Sequence, residues 1–408
     1  MKKTLSISQR GLHAPASPIR SLVPLANAAI KRGIYVYHLN IGDPDFTIPL
    51  PIQEALKTIA KTTKRIPYPA FRGQQILLDA WKSYFTQIGL PVNLEDEDMV
   101  VTAGASDAIV LAASVATDPG DDILMFEPYY APYITYGHFL SIHVNAVTLQ
   151  AEYNFHLPPR EEIVKKITTK TKAIFFINPN NPTGTVFTKE ELELILSIAR
   201  EYNLFIVSDE TYRGMVFDNR KNLSFLHVAK KEDLDRIIIV DSLSKRLNVC
   251  GARMGLVMSK NRAFIDAAFR FTQARPYPAY IEQEIVAPML ADSLDYGKWL
   301  TQQYQKRRDA FIEAFEKTVK IAIHKPEGAF YTLLPLPILD ATDFSKWLLT
   351  DFSDNNETVM VTPAEGFYKT KGKGRNEVRV AYVLEEKKLI HAAQLLAKAL
   401  KLYKKTHK

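Results

Sequence analysis

Apolar and polar positions follow two different periods along the middle of this chain. Between residues 99 and 242, apolar runs of strand length, such as MVVTAG (99–104) and IIIVDS (237–242), are separated by helical patterns such as KEELELILSIAREY (189–202). Strands that are apolar along almost their whole length, and that alternate with helices, predict a mostly parallel sheet sandwiched by helices. Ligands bind such sheets at the carboxyl ends of the strands. We therefore expect the site among the polar residues that follow these runs.

The residues on either side of this region follow other patterns. Before it, a short helix leads to the strand IYVYHLNIG (34–42), and two amphipathic helices flank the loop RIPYPAFRG (65–73). After it, a long helix over 297–317 precedes a second helix, further strands and a closing helix. These patterns predict an α/β fold with a smaller α+β domain at its C-terminal end. The expected parts are an N-terminal segment packing near the small domain (1–45), a large domain (46–295) and the small domain (296–408).

The composition is that of an ordinary globular protein. With 408 residues, of which 47% are hydrophobic, the chain can bury a large core and form two domains. The net charge of +7 arises largely from the C-terminal stretch and from KTKGKGR (369–375). No helix–turn–helix, zinc-ligand spacing or aromatic-basic pattern accompanies these runs, so they predict solvated surface and not nucleic-acid binding.

The cysteine content and the hydropathy pattern bear on the compartment. Cys250 is the sole cysteine, which excludes an internal disulfide and a cysteine metal cluster and fits a reducing compartment. We expect its thiol to pack in the interior. The N-terminus has no apolar core of signal-peptide length, and no apolar run approaches the ~18 residues of a membrane span. We expect a cytoplasmic protein, with a short organelle transit segment as the alternative.

One strand–helix junction has the features of a phosphate site. The segment VVTAGAS ends a strand at Gly104 and opens a helix at Ala105 and Ser106. The first N–H groups of a helix are unpaired and its N-terminal end is positive, which suits a phosphate. The chain has neither G-x-G-x-x-G nor G-x-x-x-x-G-K-[ST]. The pattern therefore favours one phosphate on a small cofactor over a dinucleotide or a P-loop nucleotide.

Two later loops carry aromatic and amide side chains. In FEPYYAPY (126–133), adjacent tyrosines follow a strand, where one ring can face a planar ligand or pack in the core. INPNNPTG (177–184) has two asparagines that precede prolines. Asn-Pro bonds in tight loops are candidates for the cis form, which fixes an amide side chain at one angle.

Two charged residues end the remaining apolar strands. Asp209, in IVSDETYRG, is costly to bury without a cationic partner, and a protonated pyridine nitrogen is such a partner. Tyr212 in the same motif can donate to a ring oxygen. Lys245 lies in the Ser-x-Ser-Lys turn after IIIVDS, and that turn taken alone favours a solvated loop lysine, so the other motifs must decide.

In this order, the motifs resemble those of the pyridoxal-phosphate-dependent aminotransferases of fold type I, class I/II. The resemblance extends from LNIGDPDF (39–46) to VRVAYV (378–383). It rests on NNPTG (180–184), DETY (209–212) and SLSK (242–245) with an arginine eight residues after the lysine. Together with the N-terminal segment, SLSKRLNVCGARMG is most similar to the aspartate aminotransferase-like branch.

The resemblance implies a role for each motif residue. Lys245 would form the internal aldimine with pyridoxal 5'-phosphate and later carry the proton of the substrate α-carbon. Asp209 would hold the pyridine nitrogen protonated, and Tyr130 would stack on the ring. The groups expected at the ring 3-oxygen are Asn181 and Tyr212. The groups expected at the phosphate are those of Gly104, Ala105, Ser106, Ser242, Arg253 and a partner subunit's Tyr68. The groups expected at the substrate α-carboxylate are Arg379, Asn181 and the Gly42 backbone.

Three charged residues fit this scheme less directly. Asp107 lies in the first turn of the presumed phosphate-binding helix, so we expect its side chain to point away from the phosphate. Arg246 has no role that the sequence defines. Arg275, in QARPYPAY (273–280), lies roughly where some aspartate aminotransferases carry an arginine for the distal carboxylate. The alternative is a solvated loop arginine.

The resemblance implies a homodimer with shared active sites and a ping-pong reaction. Aspartate is the expected amino donor and 2-oxoglutarate the expected acceptor. An aminotransferase for alanine, aromatic or a broad range of amino acids is one alternative, and a lyase on the same scaffold is another. A transcription regulator needs a DNA-binding domain ahead of the scaffold, and the 38 residues before LNIG leave no room for one. No metal site is expected.

Overall fold

The computed structural model describes residues 5–275, 278–319 and 323–407. Within them, the strands in chain order are β1 (Tyr35–His38), β2 (Met99–Thr102), β3 (Asp122–Glu127), β4 (His143–Thr148), β5 (Thr171–Ile177), β6 (Phe205–Asp209), β7 (Ile237–Ser242), β8 (Gly255–Met258), β9 (Tyr331–Pro335), β10 (Glu357–Met360), β11 (Thr362–Pro363) and β12 (Glu377–Ala381). The α-helices are α1 (Gln9–Leu12), α2 (Val23–Lys31), α3 (Leu50–Thr62), α4 (Gln75–Gln87), α5 (Ala105–Ala116), α6 (Pro132–Leu140), α7 (Arg160–Val164), α8 (Lys189–Glu201), α9 (Leu243–Arg246), α10 (Arg262–Ala274), α11 (Tyr280–Ala291), α12 (Leu294–Val319), α13 (Ala341–Thr350) and α14 (Glu386–Thr406).

The central sheet has seven strands in the order β2-β8-β7-β6-β5-β3-β4. Strand β8 runs antiparallel to β2 and β7, and the other neighbours are parallel. Successive residues of β7 enter opposite cores, since Ile237 and Ile239 pack on one face while Ile238 and Val240 pack on the other. Burying each such side chain is worth about 1.5–3 kcal/mol. The predicted mostly parallel sheet covered on both faces is confirmed.

A smaller antiparallel sheet follows the long helix α12. Its strand order is β11-β12-β9, and α12 packs against α14 beside it. The N-terminal strand β1 pairs in parallel with β10, with Tyr35 opposite Glu357. The predicted smaller α+β part is therefore present. The boundaries 1–45, 46–295 and 296–408 stay a prediction.

Strand direction decides which residues meet. Parallel strands β3, β5, β6 and β7 all end at the same edge of the sheet. Antiparallel β8 begins at that edge with Gly255, so Arg253, two residues earlier, lies there as well. Most residues of the predicted site precede or follow a strand at this edge.

Candidate active site

A cavity of about 770 Å³ opens at this edge of the sheet. The predicted site residues that line it are Gly42, Ala105, Ser106, Tyr130, Asn181, Asp209, Tyr212, Ser242, Lys245, Arg253 and Arg379. Gly104 immediately precedes this lining at the start of α5. Residues more than 300 positions apart in the chain thus share one cavity.

Tyr68 is the predicted residue that the fold leaves outside the cavity. Its side chain is 87% exposed, and it is absent from the cavity wall. A single chain therefore does not place Tyr68 at the phosphate end of the site.

The phosphate end is built from α5, Arg253 and Ser242. Gly104 has φ +78, and a Cβ there would lie 2.8 Å from Nη2 of Arg253. A side chain at this position would push the guanidinium aside, so glycine is required both by the φ value and by the close approach. Nη2 of Arg253 donates to the Ala103 carbonyl at 3.1 Å, beside the N-terminus of the 12-residue helix α5. A helix N-terminus next to a guanidinium is suited to a phosphate.

Asp209 is a buried carboxylate whose hydrogen bonds come from neutral groups. Oδ1 accepts from the N–H and hydroxyl of Thr211 at 3.0 and 2.6 Å, and Oδ2 accepts from the Tyr133 hydroxyl at 3.0 Å. Across the described ranges, no lysine or arginine forms an ion pair with it. Burial raises the pKa of Asp209. A cationic N–H in the cavity would therefore find a carboxylate with no competing cation.

Tyr212 and Tyr331 form a hydroxyl pair beside this carboxylate. Their oxygens are 3.2 Å apart, and burial raises the pKa of Tyr212 well above its usual value. Tyr331 also lies under the Arg379 guanidinium, 4.3 Å from its ring centroid, and its hydroxyl occupies the space that a Cβ on Gly42 would need. Sequence reasoning missed Tyr331. Its one local signal was the position directly after the turn EGAF (327–330).

Arg379 is almost completely buried in β12, at 1% exposure. Nη2 donates to the Asn40 carbonyl at 2.6 Å and Nη1 to Oδ1 of Asn181 at 3.3 Å. Its Nε has no hydrogen-bond partner among the described residues. The guanidinium lines the cavity, so a ligand carboxylate there would find a charged donor group.

The loop that carries Asn181 has the predicted backbone. The Asn178–Pro179 and Asn181–Pro182 peptide bonds are both cis, which confirms the expectation for INPNNPTG. Glu127–Pro128, ahead of the two tyrosines of FEPYYAPY, is also cis.

Lys245 points into the cavity from α9. Its Nζ donates to the Gly42 carbonyl at 2.7 Å and to Sγ of Cys250 at 3.3 Å. The expectation that Cys250 packs in the interior was wrong, because its half-buried thiol lines the cavity beside Lys245. The turn that follows the end of α9 at Arg246 brings the two side chains together.

The structure explains the remaining charged residues. Arg246 is buried, donates to both oxygens of Asp241 at 2.8 Å and lies over the Tyr84 ring, so it neutralises a carboxylate beneath the site. Arg275 forms an ion pair with Asp107 and does not line the cavity. Pro276 and Tyr277, which follow it, lie outside the described residues.

Asp107 also bonds the loop ahead of its own helix. Oδ2 of Asp107 accepts from the Ala103 N–H at 2.9 Å, and the residue is absent from the cavity wall. Both contacts turn the carboxylate toward the protein.

Neither a metal centre nor a membrane span appears among the described residues. No cluster of three His, Cys, Asp or Glu side chains there could hold a metal ion. No described helix is long and apolar enough to cross a membrane.

The fold and the site together define a class, an α/β enzyme with a lysine, a buried carboxylate and a guanidinium fork at the carboxyl edge of its sheet. The sequence profile of aminotransferase class I and II matches residues 35–396, and the chain belongs to this family. It is therefore an aminotransferase, and the family implies pyridoxal phosphate as the cofactor.

Individual relatives cover nearly the whole chain. An aspartate aminotransferase of Pyrococcus horikoshii is 28% identical over 98% of both sequences. The structure of an aspartate aminotransferase from Thermus thermophilus with maleate is similar with a TM-score of 0.87 at 25% identity, over 97% of this chain and 100% of that one. An alanine aminotransferase from Pyrococcus furiosus gives a TM-score of 0.87 at 29% identity, with the same coverage.

Proposed function

We propose that this protein transfers the amino group of aspartate to 2-oxoglutarate in a ping-pong reaction with pyridoxal phosphate. The observation that carries the proposal is one cavity in which Nζ of Lys245, the carboxylate of Asp209 and the fork of Arg379 converge. Relatives that are named aspartate aminotransferases support the donor.

The residues of the cavity fit the cofactor. Asp209, with no cationic partner among the described residues, would hold a pyridine N–H, and Tyr130 lies in the wall where a planar ring would stack. The groups that would hold the phosphate are the N-terminus of α5 at Ala105 and Ser106, Ser242 and Arg253. Asn181 and Tyr212 would bond the ring oxygen. When bound, the cofactor withdraws electrons from the substrate α-carbon, which makes loss of its proton feasible.

Lys245 moves the proton in this proposal. Its Nζ would hold the cofactor, and once released from it would already lie in the cavity beside the substrate. Positioned there, Nζ would take the proton from the substrate α-carbon and deliver it to the C4′ carbon of the cofactor. A positioned general base contributes about 10²–10⁴ in rate. The Gly42 carbonyl, 2.7 Å from Nζ, fixes the direction of the lysine side chain.

Arg379 positions the substrate for this transfer. Its guanidinium, which lines the cavity, and the side-chain amide of Asn181 would bind the α-carboxylate. Asn40 and Tyr331 fix the guanidinium from two sides, so the fork is in place before the substrate arrives.

Alanine is the second candidate donor. The favouring observation is the alanine aminotransferase from Pyrococcus furiosus, which is as similar in structure as the aspartate enzyme. A lyase on the same scaffold would use the same cofactor residues. It would differ by releasing a 2-oxo acid with no need for an amino acceptor.

The test is the absorption spectrum of the protein loaded with pyridoxal phosphate. We expect the cofactor band to disappear when aspartate is added without acceptor and to return with 2-oxoglutarate. Lys245→Ala should abolish turnover while leaving the fold intact. If alanine removes the band and aspartate does not, the proposal that aspartate is the amino donor is wrong. Release of a 2-oxo acid over many turnovers without acceptor would contradict transamination.

We also propose that the protein is a homodimer that shares its active sites. This proposal gives Tyr68 a role, because its exposed hydroxyl would reach the phosphate end of the partner's cavity. The domain division 1–45, 46–295 and 296–408 belongs to the same proposal, and strand pairing between β1 and β10 supports the placement of the N-terminal segment.

A further inference from the structure

One cationic side chain of the cavity wall, that of Arg20, has no role in the proposed mechanism. The cationic side chains that line the cavity are those of Arg20, Lys245, Arg253 and Arg379. The last three are used by the amine chemistry, the phosphate and the α-carboxylate. The side chain of Arg20 is exposed and makes no ion pair or hydrogen bond with any residue in the described ranges.

Arg275, the residue that the sequence suggested for a distal carboxylate, is already neutralised. Its guanidinium pairs with Asp107, and neither residue lines the cavity. A second carboxylate on the substrate would thus meet Arg20 rather than Arg275.

The turn that carries Arg20 is connected by hydrogen bonds to Arg379, the proposed site of the α-carboxylate. Arg379 donates to the Asn40 carbonyl at 2.6 Å, and the Asn40 side-chain amide contacts the Ile19 carbonyl at 3.5 Å. Within the turn, the Arg20 N–H donates to the Ser17 carbonyl at 3.2 Å. Two guanidinium groups are therefore placed in one cavity through a single connecting residue.

We propose that Arg20 binds the second carboxylate of a dicarboxylic substrate and so determines specificity. A guanidinium fork matches a planar carboxylate in two hydrogen bonds, which a solvated lysine does not reproduce. This inference rests on the proposed function, because it concerns the side chain of the amino donor. Asp43 also lines the cavity, and its carboxylate is the competing partner for Arg20.

The experiment measures binding of two probes to the protein loaded with pyridoxal phosphate. Succinate has two carboxylates, and butyrate has the same number of carbons with one. By calorimetry, Arg20→Ala should raise the Kd of succinate about 10- to 100-fold, the range expected for a lost charge-assisted hydrogen bond, and leave that of butyrate within about twofold. Arg20→Lys should recover part of the loss. Arg262→Ala, which removes a surface arginine paired with Glu95, is the matched control and should change neither.

Rates give a second readout. In Arg20→Ala, kcat/KM for aspartate should fall about 10- to 100-fold while that for alanine is kept. If the Kd values of succinate and butyrate rise equally, or if the Kd of succinate does not change, Arg20 does not bind the second carboxylate. An unchanged succinate Kd would favour an ion pair between Arg20 and Asp43. Wild-type protein that binds succinate no better than butyrate would instead overturn the aspartate assignment, and the inference with it.

Discussion

At the scale of single residues, Asp209 makes the most specific prediction. Asp209→Asn keeps the size and the hydrogen-bond partners Thr211 and Tyr133 but removes the negative charge. A pyridine nitrogen would then lose its counter-charge, so we expect kcat to fall by at least about 100-fold, as for loss of one preorganised electrostatic group. Steady-state kinetics with aspartate and 2-oxoglutarate measure this. The exposed Asp118→Asn is the control, and a kcat within twofold of wild type would remove Asp209 from its proposed role.

Arg379 is tested by a change that keeps its charge. In Arg379→Lys the planar fork is lost, although a cation remains in the same buried position. We expect the KM for the amino acid to rise about 10- to 100-fold with a smaller change in kcat. Steady-state kinetics with aspartate and with alanine should show the effect equally, because both donors carry the α-carboxylate. An unchanged KM would show that a residue other than Arg379 binds the α-carboxylate.

At the scale of elements, His156 joins helix α8 to the segment ahead of β9. Its Nδ1 lies 2.9 Å from Glu191 in the first turn of α8, and its Nε2 lies 3.7 Å from Glu327. The hydrogen bond to Glu191, followed by that to Glu327, raises the pKa of His156 to about 9. A raised pKa means that the folded state binds the proton more tightly. The stabilisation is therefore complete below the unfolded pKa of about 6.5 and is lost as the pH rises through about 9.

The corresponding variant is His156→Gln. Because the site is partly exposed, solvent screening reduces the effect, and we expect a loss of about 1 kcal/mol in the free energy of unfolding at pH 6. The difference from wild type should shrink as the pH approaches 10. Urea unfolding at several pH values measures this, with the exposed His143→Gln as the control. A difference that is constant with pH would show that the charge of His156 is not involved.

At the scale of the whole molecule, one exposed apolar surface is typical of a site that binds another chain. Three apolar side chains of the loop between α3 and α4 are exposed, those of Ile66, Tyr68 and Phe71, and Leu50 at the start of α3 is exposed as well. Grouped exposed apolar residues of this kind mark interaction sites. Three of them lie in the loop that includes Tyr68, which fits the proposed homodimer.

The dimer is tested through the Tyr68 hydroxyl. We expect sedimentation to give twice the chain mass, and Tyr68→Phe to weaken pyridoxal phosphate binding about fivefold, the value of one ordinary hydrogen bond. Tyr153→Phe, which removes another exposed hydroxyl, is the control. A monomer with full activity and unchanged cofactor affinity would contradict the shared site.

Much of this protein is determined locally and was predictable from its sequence. The apolar runs predicted the parallel strands, and the polar residues that follow them predicted Asp209, Asn181 and Lys245 at one edge. This works because a strand end, a helix N-terminus or an Asn-Pro loop depends on neighbouring residues. The order of these motifs was specific enough to predict the aminotransferase family, which the sequence profile confirms.

Tertiary structure alone decided the contacts between distant parts of the chain. Arg246 lies over the ring of Tyr84 in the distant helix α4, and Tyr331 reaches Arg379 because β9 and β12 are neighbours in the small sheet. The sequence offered Arg275 as a second cation in the site, whereas packing joined it to Asp107 and left Arg20 in the cavity wall. Side-chain partners across hundreds of residues depend on how sheets and helices pack, and no local pattern encodes that packing.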